Sequence, residues 1–494
     1  MFPFDIHKIA QQFVYNAQEP FLFNSGFFLW LFTGFLWIYV ALSPTHRPKM
    51  IFVILFSLYF YYKSSGVYFV LLLFATVIDF TLAKLIYNAR EKWEQKFYIA
   101  VTLLINLGML GYFKYTNFLF ESFYGFTGRE FEPMDIFLPV GVSFFTFQSL
   151  SYTLDVYRGN LKPVDNIIDY AFFVSFFPQL VAGPIVRAAD FLPQIHKPTF
   201  VTGEMFGRGV FLIGCGLFKK AVISDYISAN FIDRVFEAPT LYSGLENLFA
   251  VYGYALQIYC DFSGYSDMAI GIALLLGFHF PLNFDSPYQS RNITEFWRRW
   301  HISLSTWLRD YLYISLGGNR KGKVRAYLNQ MITMLLGGLW HGASWRFIIW
   351  GALHGAALSV HKMFVAWQGD EQKDKPASKW TKRFNVLVTF HFVCFCWIFF
   401  RASSMESAGA MIGQIMTQLN PQIFFDFISG YKAVLSLMVI GYLLHFMPSR
   451  SSQAFQTFVT EMPLALKAAW MVIIIMLVVQ TRSAEIQPFI YFQF

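Results

Sequence analysis

Two histidines in this chain stand in apolar runs before a glycine, and a third lies in a basic, aromatic stretch. His341 lies in "MLLGGLWHGASW" (334–345), between Trp340 and Gly342. His354 lies in "WGALHG" (350–355), which repeats the Trp and His-Gly theme. His301 lies in "FWRRWHISLSTWLRDYLYISLGGNRKG" (296–322). An imidazole titrates near neutral pH, so it can take a proton from a hydroxyl and return it to a leaving group. Ionisable side chains at membrane depth are costly and are functional candidates for that reason. A hydrogen-bonded structural role is the competing explanation for each of them. His354, His361 and His391 lack the spacing of a known metal-ligand set, and no metal is expected.

Basic residues surround the first of these motifs. Between 287 and 326 the chain carries Arg291, Arg298, Arg299, Arg309, Arg320, Lys321, Lys323 and Arg325 against only Glu295 and Asp310. The positive-inside rule places this stretch at the cytoplasmic face. Its "GGNRKG" turn suits phosphate groups, so Arg298, Arg299, Arg309, Arg320 and Lys321 are candidate donor-binding residues. Phe296, Trp300, Leu304, Trp307, Leu308, Tyr311 and Leu312 fall on a helical period. They predict one amphipathic helix lying along the membrane or packed near its surface.

The elements that must hold these groups are membrane helices. The chain has 494 residues, 56% hydrophobic, 20% aromatic and 14% charged, with mean hydropathy +0.45. That composition cannot cover a soluble domain. Runs such as "YFVLLLFATVIDFTLAKLI" and "LKAAWMVIIIMLVVQ" approach the length that crosses a bilayer, and about eleven crossing segments are expected. "IFLPVGVSFFTFQSLSYTLDVY" and "AFFVSFFPQLVAGPIV" carry Pro, Gly, Gln and Asp. Such segments are expected to be re-entrant or tilted, lining an interior. One membrane domain over 1–494 is expected, with its motifs at about 136–361, C-terminal helices at about 384–480 and an aromatic tail at 489–494. The net charge of +8 fits basic loops rather than nucleic acid. No cleavable signal is evident in "MFPFDIHK", and no internal repeat of the secondary-transporter kind is visible. Cys215, Cys260, Cys394 and Cys396 read as small core residues.

In order and spacing, "FWRRWHISLSTWLRDYLYISLGG", "GGLWHGASW" and "WGALHG" resemble the membrane-bound O-acyltransferase family. The upstream "LPVGVSFFTFQSLSY", "FFPQLVAGPIVR" and "DFSGYSDMAIG" resemble its alginate O-acetylation branch, in which a relative D-alanylates teichoic acid. The resemblance implies an all-α polytopic fold, a ring of helices with tilted and amphipathic segments around a central tunnel. It matches His341 to the family's catalytic histidine and His301 to the second histidine, on the intracellular side. His301 would orient the donor thioester or polarise its carbonyl. His354, Trp340 and Asp310 would be supporting residues. The implied reaction carries an acyl group, with acetyl preferred, from a cytoplasmic thioester such as acetyl-CoA to an acceptor on the other side of a bacterial inner membrane. No bound cofactor is expected. The implied partners are the lipid bilayer, an SGNH-type acyltransferase in the periplasm and polysaccharide machinery.

The chain ends on "FIYFQF", and Phe489, Tyr491 and Phe494 give the pattern F-x-Y-x-x-F. This resembles the tail of the small partner protein in teichoic-acid D-alanylation, which makes Tyr491 a candidate acyl carrier. A packed aromatic plug is the competing explanation. Three other functions fit parts of the sequence: a transporter of an acyl or lipid-linked substrate, a non-catalytic scaffold, and a D-alanyl or longer-chain transferase.

Overall fold

The structure is a computed structural model that describes residues 6–16, 21–42, 45–197, 199–368, 378–481 and 489–490. Helices are the only regular elements among the described residues. They form two compact units, Met1–Gly209 with Ala269–Pro281, and Val210–Met268 with Leu282–Phe494.

Five helices are long and apolar enough to cross a membrane, or six if the Pro421–Gly430 and Lys432–His445 pair, bent by 92°, counts as one span. Against the expected eleven, one of the five is a 43-residue stretch, His46–Asn88. It is about twice the length a crossing needs. Gly66, at φ +60°, divides it into two helices of 20 residues each.

In the first unit, the Val142–Tyr157 helix is buried on nearly every side. Its Thr146, Gln148, Ser149, Ser151, Thr153 and Asp155 are shielded by protein, as expected of a polar segment facing inward. The next apolar run breaks into Ile167–Ser175 and Phe177–Leu180, because Pro178 opens a new helix. Phe172, Phe176 and Phe191 close over this break with Phe278 and Phe280.

The second unit holds all three candidate histidines. Its 210–237 stretch passes twice through wider π-turns, at Phe218–Ser224 and Ser228–Ile232. Such turns leave the regular hydrogen-bond ladder and redirect side chains. Here they accompany an inward row of Lys220, Ser224 and Ser228, which meets Gln257 and Asp261 of the Gly244–Leu275 helix. Lys220 bonds Asp225 at 2.7 Å and also pairs with Asp261.

His341 and His354 lie on a close-packed hairpin, Lys323–His341 followed by Trp345–Gln368. Its glycines fix that closeness. A Cβ on Gly338 would collide with the Phe347 carbonyl, and one on Gly351 with the Met334 carbonyl. Gly351→Ala should therefore push the helices apart and cost about 1–3 kcal/mol. A clear fall in Tm on thermal unfolding of the purified variant is the expected result; an unchanged Tm would show that the hairpin yields without cost.

Candidate active site

The helix expected across 296–312 is broken at His301. The chain forms Ile293–Arg299, then Ile302–Trp307, then a π-turn at Leu308–Tyr313. His301 stands between the first two at φ +41°, in the left-handed region that a side chain rarely occupies. The cause lies 18 residues upstream. The Asn283 carbonyl accepts Ile302 N–H at 2.9 Å. The Asn283 side-chain oxygen accepts Ser303 N–H at 3.2 Å and Ser303 Oγ–H at 2.9 Å. These bonds pull the chain out of helix at one residue, a cost of the kind stored at functional sites.

The same amide sets the imidazole. Because a backbone N–H donates to Asn283 Oδ1, that atom is the acceptor, and its amide nitrogen donates to Ser266 Oγ at 3.1 Å. His301 Nδ1, 3.1 Å from Oδ1, must then carry the proton. Nε2 is left with its lone pair, is buried, and has no hydrogen-bond partner among the described residues. Burial pushes the His301 pKa down to about 3, so the ring is neutral at physiological pH. Polarising a carbonyl needs a donor. This tautomer offers an acceptor instead, which suits holding a donor's N–H group or receiving a proton.

Aromatic rings join the three histidines. His301 lies 6.2 Å from Trp340, whose neighbour His341 is 5.0 Å from the same indole. His341 also meets Trp350 at 5.1 Å and Phe400 at 5.3 Å. Trp350 in turn packs on His354 at 4.7 Å. His354 Nδ1 accepts Trp297 Nε1–H at 3.2 Å, so this ring is anchored from the broken helix. His301, His341 and His354 are all buried.

The basic candidates do not converge on these rings. Arg299 is paired with Glu295 and Asp285, and Arg309 with Asp310. Arg298, Arg320 and Lys321 are exposed, whereas the three histidines are buried.

The start of the aromatic tail reaches this column. Phe489 is fully buried against Phe262 at 5.5 Å and Tyr265 at 5.0 Å, and Phe262 meets His301 edge-on at 4.6 Å. Ile490 N–H donates to Asp261 Oδ2 at 3.0 Å, beside the buried Lys220. Tyr491, with the rest of the tail, lies outside the described residues.

The family model of the membrane-bound O-acyltransferases, MBOAT, matches residues 56–408, a range that contains all three histidines. The chain belongs to this family. Among its relatives, a peptidoglycan O-acetyltransferase of Helicobacter pylori is 37% identical over 425 residues, 78% of each chain. A probable alginate O-acetylase AlgI of Pseudomonas aeruginosa is 41% identical over 399 residues, 79% of this chain and 74% of its own. A teichoic acid D-alanyltransferase of Bacillus subtilis is 30% identical over 272 residues, 53% of this chain and 68% of its own. The resemblance read from the motifs is thus established, and the chain is a membrane-bound O-acyltransferase.

Asn283 was missed in the sequence, because nothing local marks an asparagine in "FPLNFDSPY" as a partner for His301. Asn283→Leu keeps the bulk but removes both the acceptor and the donor. It should reduce acyl transfer by about 10²-fold or more, the scale of a lost acid–base group. Turnover at unchanged expression and unchanged far-UV circular dichroism is the measurement, and wild-type turnover would show that the tautomer does not matter.

Proposed function

We propose that this membrane-bound O-acyltransferase carries an acetyl group from a cytoplasmic thioester, acetyl-CoA, across a bacterial inner membrane for O-acetylation of a cell-envelope polysaccharide. The observation that carries this reading is the pair of buried histidines joined through Trp340, with Nε2 of His301 left as a buried acceptor. Acetyl is chosen because the relatives that match over most of this chain are named for O-acetyl transfer. About eleven crossing segments would enclose the passage.

In this scheme His341 is the general base. It removes the proton of an attacking hydroxyl as that oxygen bonds to the thioester carbon. The carbon–sulfur bond breaks, and the proton leaves with the thiolate. His341 is the last residue of its helix, where unpaired carbonyls favour the positive charge that the ring acquires. His301 Nε2 accepts an N–H of the thioester's pantetheine arm and so orients the carbonyl. Trp340 and His354 hold the ring planes, and the exposed Arg298, Arg320 and Lys321 draw the donor's phosphates from the cytoplasm.

Tyr491 is the first acyl acceptor in the same scheme. Its chain neighbour Ile490 is held by Asp261, one ring away from His301. A phenol near pKa 10 needs a base to attack at neutral pH, and His341 supplies one. The resulting phenyl ester has a better leaving group than a sugar ester, so passage onward to an SGNH-type partner runs downhill.

His341→Ala should lower transfer by about 10²–10⁴-fold with insertion and Tm retained. Tyr491→Phe, which removes one hydroxyl, should abolish polymer acetylation, and mass spectrometry of the parent should find an acyl group on Tyr491. Full polymer acetylation by Tyr491→Phe ends the carrier role. Comparing ester content of envelope polymers with and without the gene identifies the acceptor; no loss from any polysaccharide overturns the proposed function.

A further inference from the structure

The Trp345–Gln368 and Lys379–Arg401 helices and the start of the broken helix, Ile293–Arg299, enclose a cavity of about 310 Å³ that the transfer scheme does not use. Its walls are mainly apolar, with Ile293, Ala357, Val388 and Phe392 among them, and Arg291 and His361 also line it. His361 Nδ1 lies 2.9 Å from Thr294 Oγ1, which ties the broken helix to Trp345–Gln368 along this wall. Phe392 stands 5.8 Å from His354, so the cavity backs onto the histidine column.

Its place in a bilayer can be read from the same two helices. Both are long and apolar enough to cross a membrane. Phe384 and Val388 line the cavity and are themselves more than half exposed, so its mouth is on the outer surface of these helices, which a membrane covers with lipid. Trp367 and Trp380, near the ends that the 369–377 linker joins, are 81% and 77% exposed. Tryptophans so placed mark the headgroup level. Counted from them along the helices, Phe384 lies about 6 Å deep, Ala357 about 15 Å and Phe392 about 18 Å. Half of the hydrocarbon core is about 15 Å, so the cavity lies among the tails of one leaflet. Its rim is basic. Residues 285–299 and 357–392, linker included, hold nine Lys and Arg against five Asp and Glu. Glu295 is shared between Arg291 and Arg299, and Asp285 also pairs with Arg299. Arg291 gives Glu295 its backbone N–H and its Nε, both at 3.0 Å, and its side chain is half exposed. Lys382 is exposed, and by helical spacing it shares a face with Asn385 and Thr389, which line the cavity.

We propose that this cavity binds an anionic phospholipid, with one acyl chain against Ile293, Ala357, Val388 and Phe392 and the phosphate meeting Arg291 and Lys382. An acyl chain is what a membrane supplies at that depth, and an empty cavity would forfeit the contacts of its lining. The basic excess at the rim selects an anionic headgroup, since a zwitterionic one brings no net charge to answer it. Guanidinium and ammonium groups are both good partners for phosphate oxygens. The bound chain presses on Phe392, which packs near His354, and on the helix whose Trp297 bonds His354. The site does not depend on the acyl-transfer scheme.

The test is native mass spectrometry on the full chain, delipidated in detergent and supplied with phosphatidylglycerol or phosphatidylcholine of identical chains. Phosphatidylglycerol should be retained about tenfold or more over phosphatidylcholine, the scale of two basic side chains near an anionic headgroup. Arg291→Gln combined with Lys382→Gln should erase that preference. Val388→Trp, which fills the mouth from its exposed side, should lower retention of both lipids. Phosphatidylglycerol should also raise the Tm of the parent more than that of the double variant, because a ligand of the folded state stabilises it. Equal retention of the two lipids by the parent overturns the anionic headgroup. A preference that survives the double variant belongs to the basic surface at large and overturns the site. Unchanged retention by Val388→Trp overturns the place of the chain in the cavity. Displacement of phosphatidylglycerol by equimolar coenzyme A assigns the cavity to the donor and overturns the lipid. Both charge substitutions are at exposed side chains, so that arm decides the site even where Val388→Trp does not fold.

Discussion

Polar groups carried into an apolar interior must be matched by other protein groups, because water is not at hand to match them. That constraint orders the second unit. Lys220 is answered by Asp225 and Asp261, Arg401 by Asp233, Asp233 also by Ser228, and His301 Nδ1 by Asn283. Several of these pairs join residues distant in the chain, so the matching of charge also fixes which helices lie side by side. Removing one partner leaves the other buried and unanswered, which costs far more than the pair contributes. Where the matching stops short among the described residues, as at His301 Nε2, a buried lone pair is left open.

What the sequence made legible follows from the range of each interaction. The histidines were visible because residue type and local spacing carry the signal, and the structure places His301, His341 and His354 along one aromatic column. The break at His301 was not visible. Phe296, Trp300, Leu304 and Trp307 keep a helical period straight through it, and the amide that breaks the helix comes from residue 283. The pairing of Lys220 with Asp261 and the π-turns beside it were hidden for the same reason. Polar residues inside apolar runs did announce interior segments, and Val142–Tyr157 is one. They also blur any count of crossings made from hydropathy, since an inward-facing helix need not be uniformly apolar.

The aromatic richness has a mechanical consequence. Phe262, Trp340, Trp350, Trp397 and Phe400 are large, flat and stiff, with few torsions to lose when they pack. A wall of such rings holds three imidazoles in fixed planes with few direct hydrogen bonds. His301 is held by Asn283 and His354 by Trp297, and of the three only His301 lies in the left-handed region. The tail uses the same material. Phe489 joins the wall through Phe262 and Tyr265, while a main-chain bond to Asp261 fixes its direction. A bond to the backbone does not depend on the side chain at 490, so the grip on the tail is set by Asp261 and the depth of its entry by Phe489.

The distribution of charge gives a reason why a group, and not a whole molecule, would pass. One end of the Lys323–His341 helix emerges from the exposed turn that holds Arg320 and Lys321; the other ends at His341, beside Phe400 and Arg401. The buried stretch between carries a neutral imidazole at His301 and a sleeve of aromatic rings. On the proposed reading, an anionic donor drawn to the exposed turn would have to shed its hydration to enter the sleeve, a cost that falls hardest on a phosphate. A neutral acetyl group would not. On that reading, an uncharged aromatic stretch beside a basic turn would keep the donor's phosphates at their own end and leave the acyl group as the part that crosses.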